Sequence, residues 1–321
     1  MIKFGIIGLG KIANKFAQDL ITVEGCVLQA VGSRDLTKAK DFAASYKATH
    51  YYSSYEEVAA DPEVDVIYIA TPHVFHFDNT MMCLQAGKAV ICEKPFAMNL
   101  KEVEIMIKTA KEKKLFLMEA LWTRFIPGTL KVMELMDQNT IGEVHSIQAN
   151  FGYLATTDPS SRLIAKELGG GSLLDIGIYP IFISLLLLGI PIETKTVAQL
   201  TPTQIDQHCA MLMKFKNGAT AILESSFLGE TSNKAVISGN KGKIIMHAPF
   251  HHTKKITVEI YGKEPYQITA PLINNGYTHE IKEVKNCLLS GQLESDKMSH
   301  QNSHELMKIL DLIRSQINLT Y

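Results

Sequence analysis

Residues 1–13 read MIKFGIIGLGKIA, and within them Gly8-Leu9-Gly10-Lys11-Ile12-Ala13 is a G-x-G-x-x-A motif. The apolar run Ile2–Ile7 ahead of it reads as a strand buried on both faces, and Lys11–Leu20 behind it as a helix. A motif so placed has a mechanical reading. The first glycine permits a tight turn, the second lets backbone approach a pyrophosphate, and the small third position lets the helix pack on the sheet. The helix N-terminus adds unpaired N–H groups and a partial positive charge. Gly8, Leu9, Gly10, Lys11, Ile12 and Ala13 are therefore expected to cradle a dinucleotide.

Working outward, strand-like and helix-like segments alternate to about residue 120, the pattern of a doubly wound parallel sheet. Strands are expected at Val27–Gly32, His50–Tyr52, Val64–Ala70, Ala89–Cys92 and Leu115–Met118, with helices between them. Asp35, Ser54 with Glu57, and Asn99 with Glu102 read as helix caps. After Trp122 the pattern changes. A helix near Leu130–Gln138 leads into Glu143–Gly152, and the triplet Gly169–Gly171 precedes a strongly apolar helix. From Ile192 to Ile268 strands follow one another without helices, with Asn217-Gly218 a hairpin turn, and Tyr277–Leu289 and His304–Ile317 close the chain as helices. The expectation is an α/β chain of two domains: a dinucleotide-binding Rossmann domain over 1–120, and an α+β domain with a mostly antiparallel, open-faced sheet over 121–321.

Length agrees, since 321 residues exceed what one core usually supports. A net charge of -1, without basic runs interleaved with aromatics, points away from nucleic acid and anionic membranes. The longest apolar run, Ile176–Ile190, is interrupted by Gly177, Pro180 and Gly189 and falls short of the roughly 20 residues of a membrane span. No secretory signal is read at the N-terminus, and five unpatterned cysteines fit a reducing cytoplasm.

Cofactor choice is decided at the end of the second strand, where NAD enzymes place an acidic residue on the ribose. Here Ser33 and Arg34 stand there, suited to a 2′-phosphate, and Lys38 adds charge. NADP is expected over NAD; in the competing reading Arg34 is a solvated loop residue and Asp35 holds the ribose. Beyond strands four and five lie Thr71-Pro72-His73 with His76, and Glu93-Lys94-Pro95, where an open sheet binds its ligand. Thr71, Pro72, His76, Glu93 and Lys94 are placed at the cofactor. Lys94 reads equally as a proton-handling group or as a surface lysine beside a turn proline. Asp175 and Tyr179 are four apart after the glycine triplet, and share a face if the helix already runs there. Taken alone, Tyr179 reads as a buried structural residue.

The order GLGKIA (8–13), SRD (33–35), ATPHVFH (70–76), AGKAVICEKP (86–95), MEALWTRFIP (118–127) and GGGSLLDIGIYP (169–180) resembles the Gfo/Idh/MocA oxidoreductase family over essentially the whole chain. Within it the stretch Ala120–Phe125 and Tyr179 resemble the branch holding dimeric dihydrodiol dehydrogenases and NADP-dependent D-xylose dehydrogenases. The resemblance implies that Lys94 is catalytic and that Tyr179, where many members have histidine, is the acid/base. It makes a cyclitol substrate less expected. It also places Trp122 and Phe151 in the substrate pocket; Arg124 and Arg162 are further candidates, each equally readable as a structural ion-pair residue.

The chemistry expected is hydride transfer between a nicotinamide and a hydroxyl or carbonyl carbon of a sugar or trans-dihydrodiol. Lys94, Tyr179 and Asp175 would form the catalytic set. The competing class is a non-catalytic dinucleotide sensor of the same fold, and a third reading is a reductase consuming NADPH. His247, His251 and His252 read as solvated loop histidines, so no metal is expected. A homodimer through the open sheet face is expected.

Overall fold

The computed structural model describes residues 1–156, 158 and 161–321. Two compact units result: Met1–Trp122 with Ile273–Met307, and Thr123–Leu272 with Lys308–Tyr321.

The first unit is built on six strands: β1 (Ile2–Ile7), β2 (Cys26–Gly32), β3 (His50–Tyr52), β4 (Val66–Ile69), β5 (Ala89–Glu93) and β6 (Leu117–Ala120). They form one parallel sheet in the order β3-β2-β1-β4-β5-β6. This is the doubly wound order, and it opens between β1 and β4 at their carboxyl ends. The connecting helices are α1 (Lys11–Leu20), α2 (Leu36–Tyr46), α3 (Tyr55–Ala60), α4 (His76–Gln85) and α5 (Leu100–Lys113). Their starts follow the capping chemistry of the sequence: Asp35 accepts from Lys38 N–H, Ser54 and Glu57 form a capping box, and Asn99 accepts from Glu102 N–H.

The second unit holds eight strands: β7 (Val144–Gly152), β8 (Pro191–Leu200), β9 (Asp206–Phe215), β10 (Thr220–Ser226), β11 (Ala235–Gly239), β12 (Gly242–Met246), β13 (Lys255–Ile260) and β14 (Tyr266–Thr269). Their order is β14-β13-β12-β11-β7-β10-β9-β8, antiparallel except for β7 beside β10. Helix α6 (Pro127–Asp137) packs against β13, and α7 (Ile178–Leu188) against β7 and β10. Helical backbone from Lys166 to Leu188 is long and apolar enough to cross a membrane, more than the interrupted run 176–190 suggested. In its most apolar window 78% of the residues are buried inside the protein, which is how a core helix earns the same composition. The sheet's other face is open, with Val197, Leu212 and Ile222 exposed.

Ile273–Met307 packs with the first unit, which is therefore made of two separate stretches of chain. The reason is a set of contacts that sequence pattern does not reveal. Asp19, buried in α1, accepts from Asn275 N–H (3.0 Å), Thr278 N–H (3.0 Å) and the Thr278 hydroxyl (3.1 Å), so it fixes the start of α8 (Thr278–Leu289). Tyr277 stacks on Trp122 at 5.0 Å. From α9 (His300–Gln316), His300 Nε2 donates to the Leu117 carbonyl at 3.0 Å.

Candidate active site

The cradle after β1 is shaped as the motif requires. Gly8 has φ +82°, and a Cβ there would lie 2.6 Å from both the Ala70 carbonyl carbon and the Thr71 nitrogen, so the turn presses against the end of β4. Gly10 caps α1 with extended backbone, and a Cβ there would meet only Gly8 O, at 4.0 Å. Protein packing therefore does not demand a glycine at that position, but a ligand drawn close to the backbone would. Ala13 is fully buried and lets α1 lie on the sheet, Leu9 is buried, and Lys11 and Ile12 are exposed. The arrangement fits the pyrophosphate of a dinucleotide.

At the end of β2 the two readings of Asp35 separate. Its carboxylate accepts from Lys38 N–H at 3.1 Å, while its own N–H donates to the buried Ser33 hydroxyl at 3.2 Å. Asp35 is thus engaged as a cap. Arg34 is exposed beside it and hydrogen bonds the Tyr55 hydroxyl. Burial pushes the Tyr55 phenol up and Arg34 opposes that shift. Tyr55 was not singled out from sequence; its only signal there is its place as the first residue after a cap. Lys38 is exposed in the first turn of α2.

Beyond β4 and β5, Thr71 is buried and Pro72 half-buried. His76 is wholly buried, with Nδ1 2.7 Å from the Pro95 carbonyl and Nε2 2.9 Å from the Thr71 carbonyl. Both ring nitrogens face backbone carbonyls, so His76 braces the two loops against each other. Glu93 accepts a hydrogen bond from the Tyr68 hydroxyl, and burial, then Glu93, pushes that phenol well up. Lys94 is half-buried and precedes a cis bond to Pro95. The sixth strand runs to Ala120 rather than ending at Met118, which brings Glu119 into the sheet opposite Cys92.

In the second unit, Asp175 lies in a π-helical turn, Leu173–Gly177, that leads into α7 and Tyr179. Such turns are rare and recur at functional sites. Asp206, at the start of β9, holds this turn: it accepts from Leu173 N–H at 2.6 Å and from the Ser172 hydroxyl at 2.8 Å. Burial pushes the Asp206 carboxyl up to about 6, against the pull of those donors. Gly171 has φ +126°, and a Cβ there would lie 2.3 Å from Asp206 Oδ1, which explains the end of the glycine triplet.

Asp175 accepts from Arg162 at 3.1 Å, and the Tyr153 hydroxyl lies at 3.5 Å. Arg162 is thus an ion-pair partner of Asp175. Tyr179 is 7% exposed, with the Phe151 ring centroid at 5.9 Å and that of His251 at 4.7 Å. His251 also stacks on Phe151 at 4.4 Å and an interplanar angle of 19°. The reading of His251 as a solvated loop histidine is therefore corrected. A short helical turn, Phe250–His252, buries its ring among aromatics, a tertiary effect that the local polarity of 247–252 conceals. Trp122 and Arg124 end the short turn after β6, both half-buried. Among the described residues no group of three His, Cys, Asp or Glu side chains is arranged to hold a metal.

Residues 2–121 match the oxidoreductase family with an NAD-binding Rossmann fold, and 129–245 match the GFO/IDH/MocA C-terminal domain. A trans-1,2-dihydrobenzene-1,2-diol dehydrogenase from Xenopus tropicalis is 38% identical, covering 99% of each chain. The enzyme of that name from Homo sapiens is 34% identical, over 100% of this chain and 98% of its own. Among solved structures, a 3-ketoreductase from Actinomadura kijaniata in complex with NADP and TDP-benzene superposes with a TM-score of 0.89, at 25% identity and 98% coverage of both chains. Cradle, sheet order, open-faced second sheet and full-length relatives converge: the chain belongs to the Gfo/Idh/MocA oxidoreductases.

Proposed function

We propose that this chain is an NADP-dependent dehydrogenase that moves a hydride between the nicotinamide and a carbinol carbon of a sugar or trans-dihydrodiol. One observation carries the reading beyond the family: Tyr179 is buried among Phe151 and His251, one turn after an Asp175 held by Arg162. A phenol in an aromatic nest has no structural need of an ion-paired carboxylate so close along the helix, whereas a polyhydroxylated substrate has use for both. The dehydrogenases and the ketoreductase named above act on diols and keto groups, in keeping with it.

NADP supplies the hydride acceptor. Gly8–Ala13 hold its pyrophosphate, and Ser33, Arg34 and Lys38 take the 2′-phosphate. The carbinol proton goes to Tyr179, and Lys94 binds the substrate oxygen. Asp175 orients a neighbouring hydroxyl, and the Phe151 ring offers the flat apolar contact that a dihydrodiol or sugar face prefers. Trp122, Arg124 and Arg162 complete the substrate contacts. Thr71 and Pro72 line the cofactor, while His76 and Glu93 serve it through the loops they brace. Five buried free cysteines support a cytoplasmic setting.

A panel of pentoses, hexoses, cyclitols and trans-dihydrodiols with NADP⁺, followed as NADPH absorbance, tests the reading. Turnover of D-xylose or a trans-dihydrodiol, with cyclitols inert, is expected. Tight NADP⁺ binding without turnover of any member would make the chain a dinucleotide sensor.

A further inference from the structure

We infer that Glu119 is a positioning residue for Lys94: its carboxylate holds one end of the Pro95–Phe96 peptide while His76 holds the other. The inference rests on the reading of Lys94 as part of the acid/base pair. Glu119 Oε1 accepts from Phe96 N–H at 3.0 Å. The carbonyl of that same peptide group, Pro95 O, faces His76 Nδ1 at 2.7 Å. One rigid amide, immediately past Lys94-Pro95, is thus gripped at both ends by buried ionisable side chains on β6 and α4. With this peptide plane held and the φ of Pro95 locked by its ring, the backbone that carries Lys94 keeps few ways to move.

Glu119 is poorly explained as core. Its strand neighbours Leu117, Met118 and Ala120 are apolar and buried, as a sheet interior prefers. Glu119 itself is 2% exposed, and its Oε2 has no hydrogen-bond partner among the described residues. A carboxyl so placed is retained for what it does to its neighbours rather than for packing. Its surroundings also poise it. Burial raises it to about 7, opposed by the Ser303 hydroxyl beside it, by Phe96 N–H and by Lys94, and reinforced by Glu93. The other titratable groups around it are the buried Cys92 thiol across the strand pair, His76 beyond the gripped peptide, and His300 on the Leu117 carbonyl. The ionised carboxylate, the stronger acceptor for Phe96 N–H, predominates above pH 7.

The sign follows. Lys94 is best held when Glu119 is ionised, so kcat should rise with pH through about 7, the midpoint of the Glu119 carboxyl. In Glu119→Gln that limb should vanish and kcat at pH 8 should fall about ten- to a hundredfold, as for a small misplacement of a reacting group. KM for NADP⁺ should stay within about twofold, since the Gly8–Ala13 cradle is untouched; Glu119→Asp should restore a limb. Ser303→Ala, a milder change that removes a group favouring the charged form, should move the midpoint to higher pH. A limb and kcat unchanged in Glu119→Gln, or a midpoint unmoved in Ser303→Ala, would overturn the inference. Lys94→Met, measured alongside, separates the two failures: if it keeps wild-type kcat, the reading of Lys94 is wrong instead.

Discussion

Arg34 and Asp35 are adjacent yet face different tasks, and the difference is set by where each hydrogen bonds. Asp35 caps α2, accepting from Lys38 N–H through Oδ1. Arg34 is exposed beside the Tyr55 phenol, and in the proposed reading its guanidinium takes the 2′-phosphate. Arg34→Ala should therefore remove a charge-assisted contact worth about 1.5–3 kcal/mol, lowering NADP⁺ affinity by roughly one to two decades while NAD⁺ binding barely changes. Titration calorimetry with both cofactors decides it; equal losses would show that Arg34 merely shapes the loop. At the chemical step, Tyr179→Phe and Lys94→Met should each lower kcat by about 10²–10⁴-fold, and the double variant should be little worse than the worse single one. Additive losses in steady-state kinetics would assign the two residues to separate steps. By position alone Lys94 and Tyr179 keep a structural alternative, and the resemblance to the family is what puts them forward. His251 could not be picked from sequence, because nothing in its polar neighbourhood discloses that a turn folds it against Phe151. Glu119 escaped for a smaller reason: the expected strand ends at Met118, two residues short of Ala120.

The start of α7 shows how much one buried group on another element can govern. Asp206 caps the π-helical turn that carries Asp175, and Gly171 is bare because that carboxylate occupies the space of its Cβ. The folded carboxyl lies near 6, above its ordinary value of 3.8. A raised carboxyl favours the fold while protonated, so its contribution is complete below the ordinary value and is lost as pH rises through about 6. Two pKa units correspond to roughly 3 kcal/mol, an order-of-magnitude figure. Asp206→Asn, which cannot ionise, should lack this loss. The melting temperature of the variant relative to the native chain should climb between about pH 4 and 6 and level off above. A pH-independent difference would mean that Asp206 does not titrate in that range. Capping residues of the first unit were legible because the cap and the N–H it serves are neighbours in sequence. The Asp206 cap joins residues thirty-three apart, and no local rule reports it. Strand β8 falls inside the run of strands expected from Ile192, and its charges suit its place at the edge of the sheet.

Over the whole molecule, alternation and motif order carry the fold class, while the packing of Ile273–Met307 with the first unit, where Asp19 meets Asn275 and Thr278, has no local sequence signal. The open face of the second sheet points to a second copy of the chain. Inward positions of β9 and β10, such as Cys209, Met211, Met213, Ala221 and Leu223, are buried. Across the register the outward partners include Val197 opposite Ala210, and Leu212 opposite both Lys195 and Ile222. Val197, Leu212 and Ile222 are 75%, 50% and 52% exposed. Three large apolar side chains stand on this one open face, the kind of surface a partner can cover. Eight strands give seven spacings of about 4.8 Å, so the face is roughly 34 Å across. With strands of ordinary length that offers an area near the roughly 800 Å² per partner of a stable interface. The face is self-complementary in kind, with apolar residues among Lys195 and Glu224, as a two-fold interface requires. We therefore expect a homodimer sealed by this face, with sedimentation giving twice the 35.6 kDa chain mass at micromolar concentration. Leu212→Lys would bury a charge at the centre of the patch and should leave a folded monomer with an unchanged melting profile for the first unit. A native chain that sediments as a monomer would remove the idea; a variant that stays dimeric would move the interface to another surface.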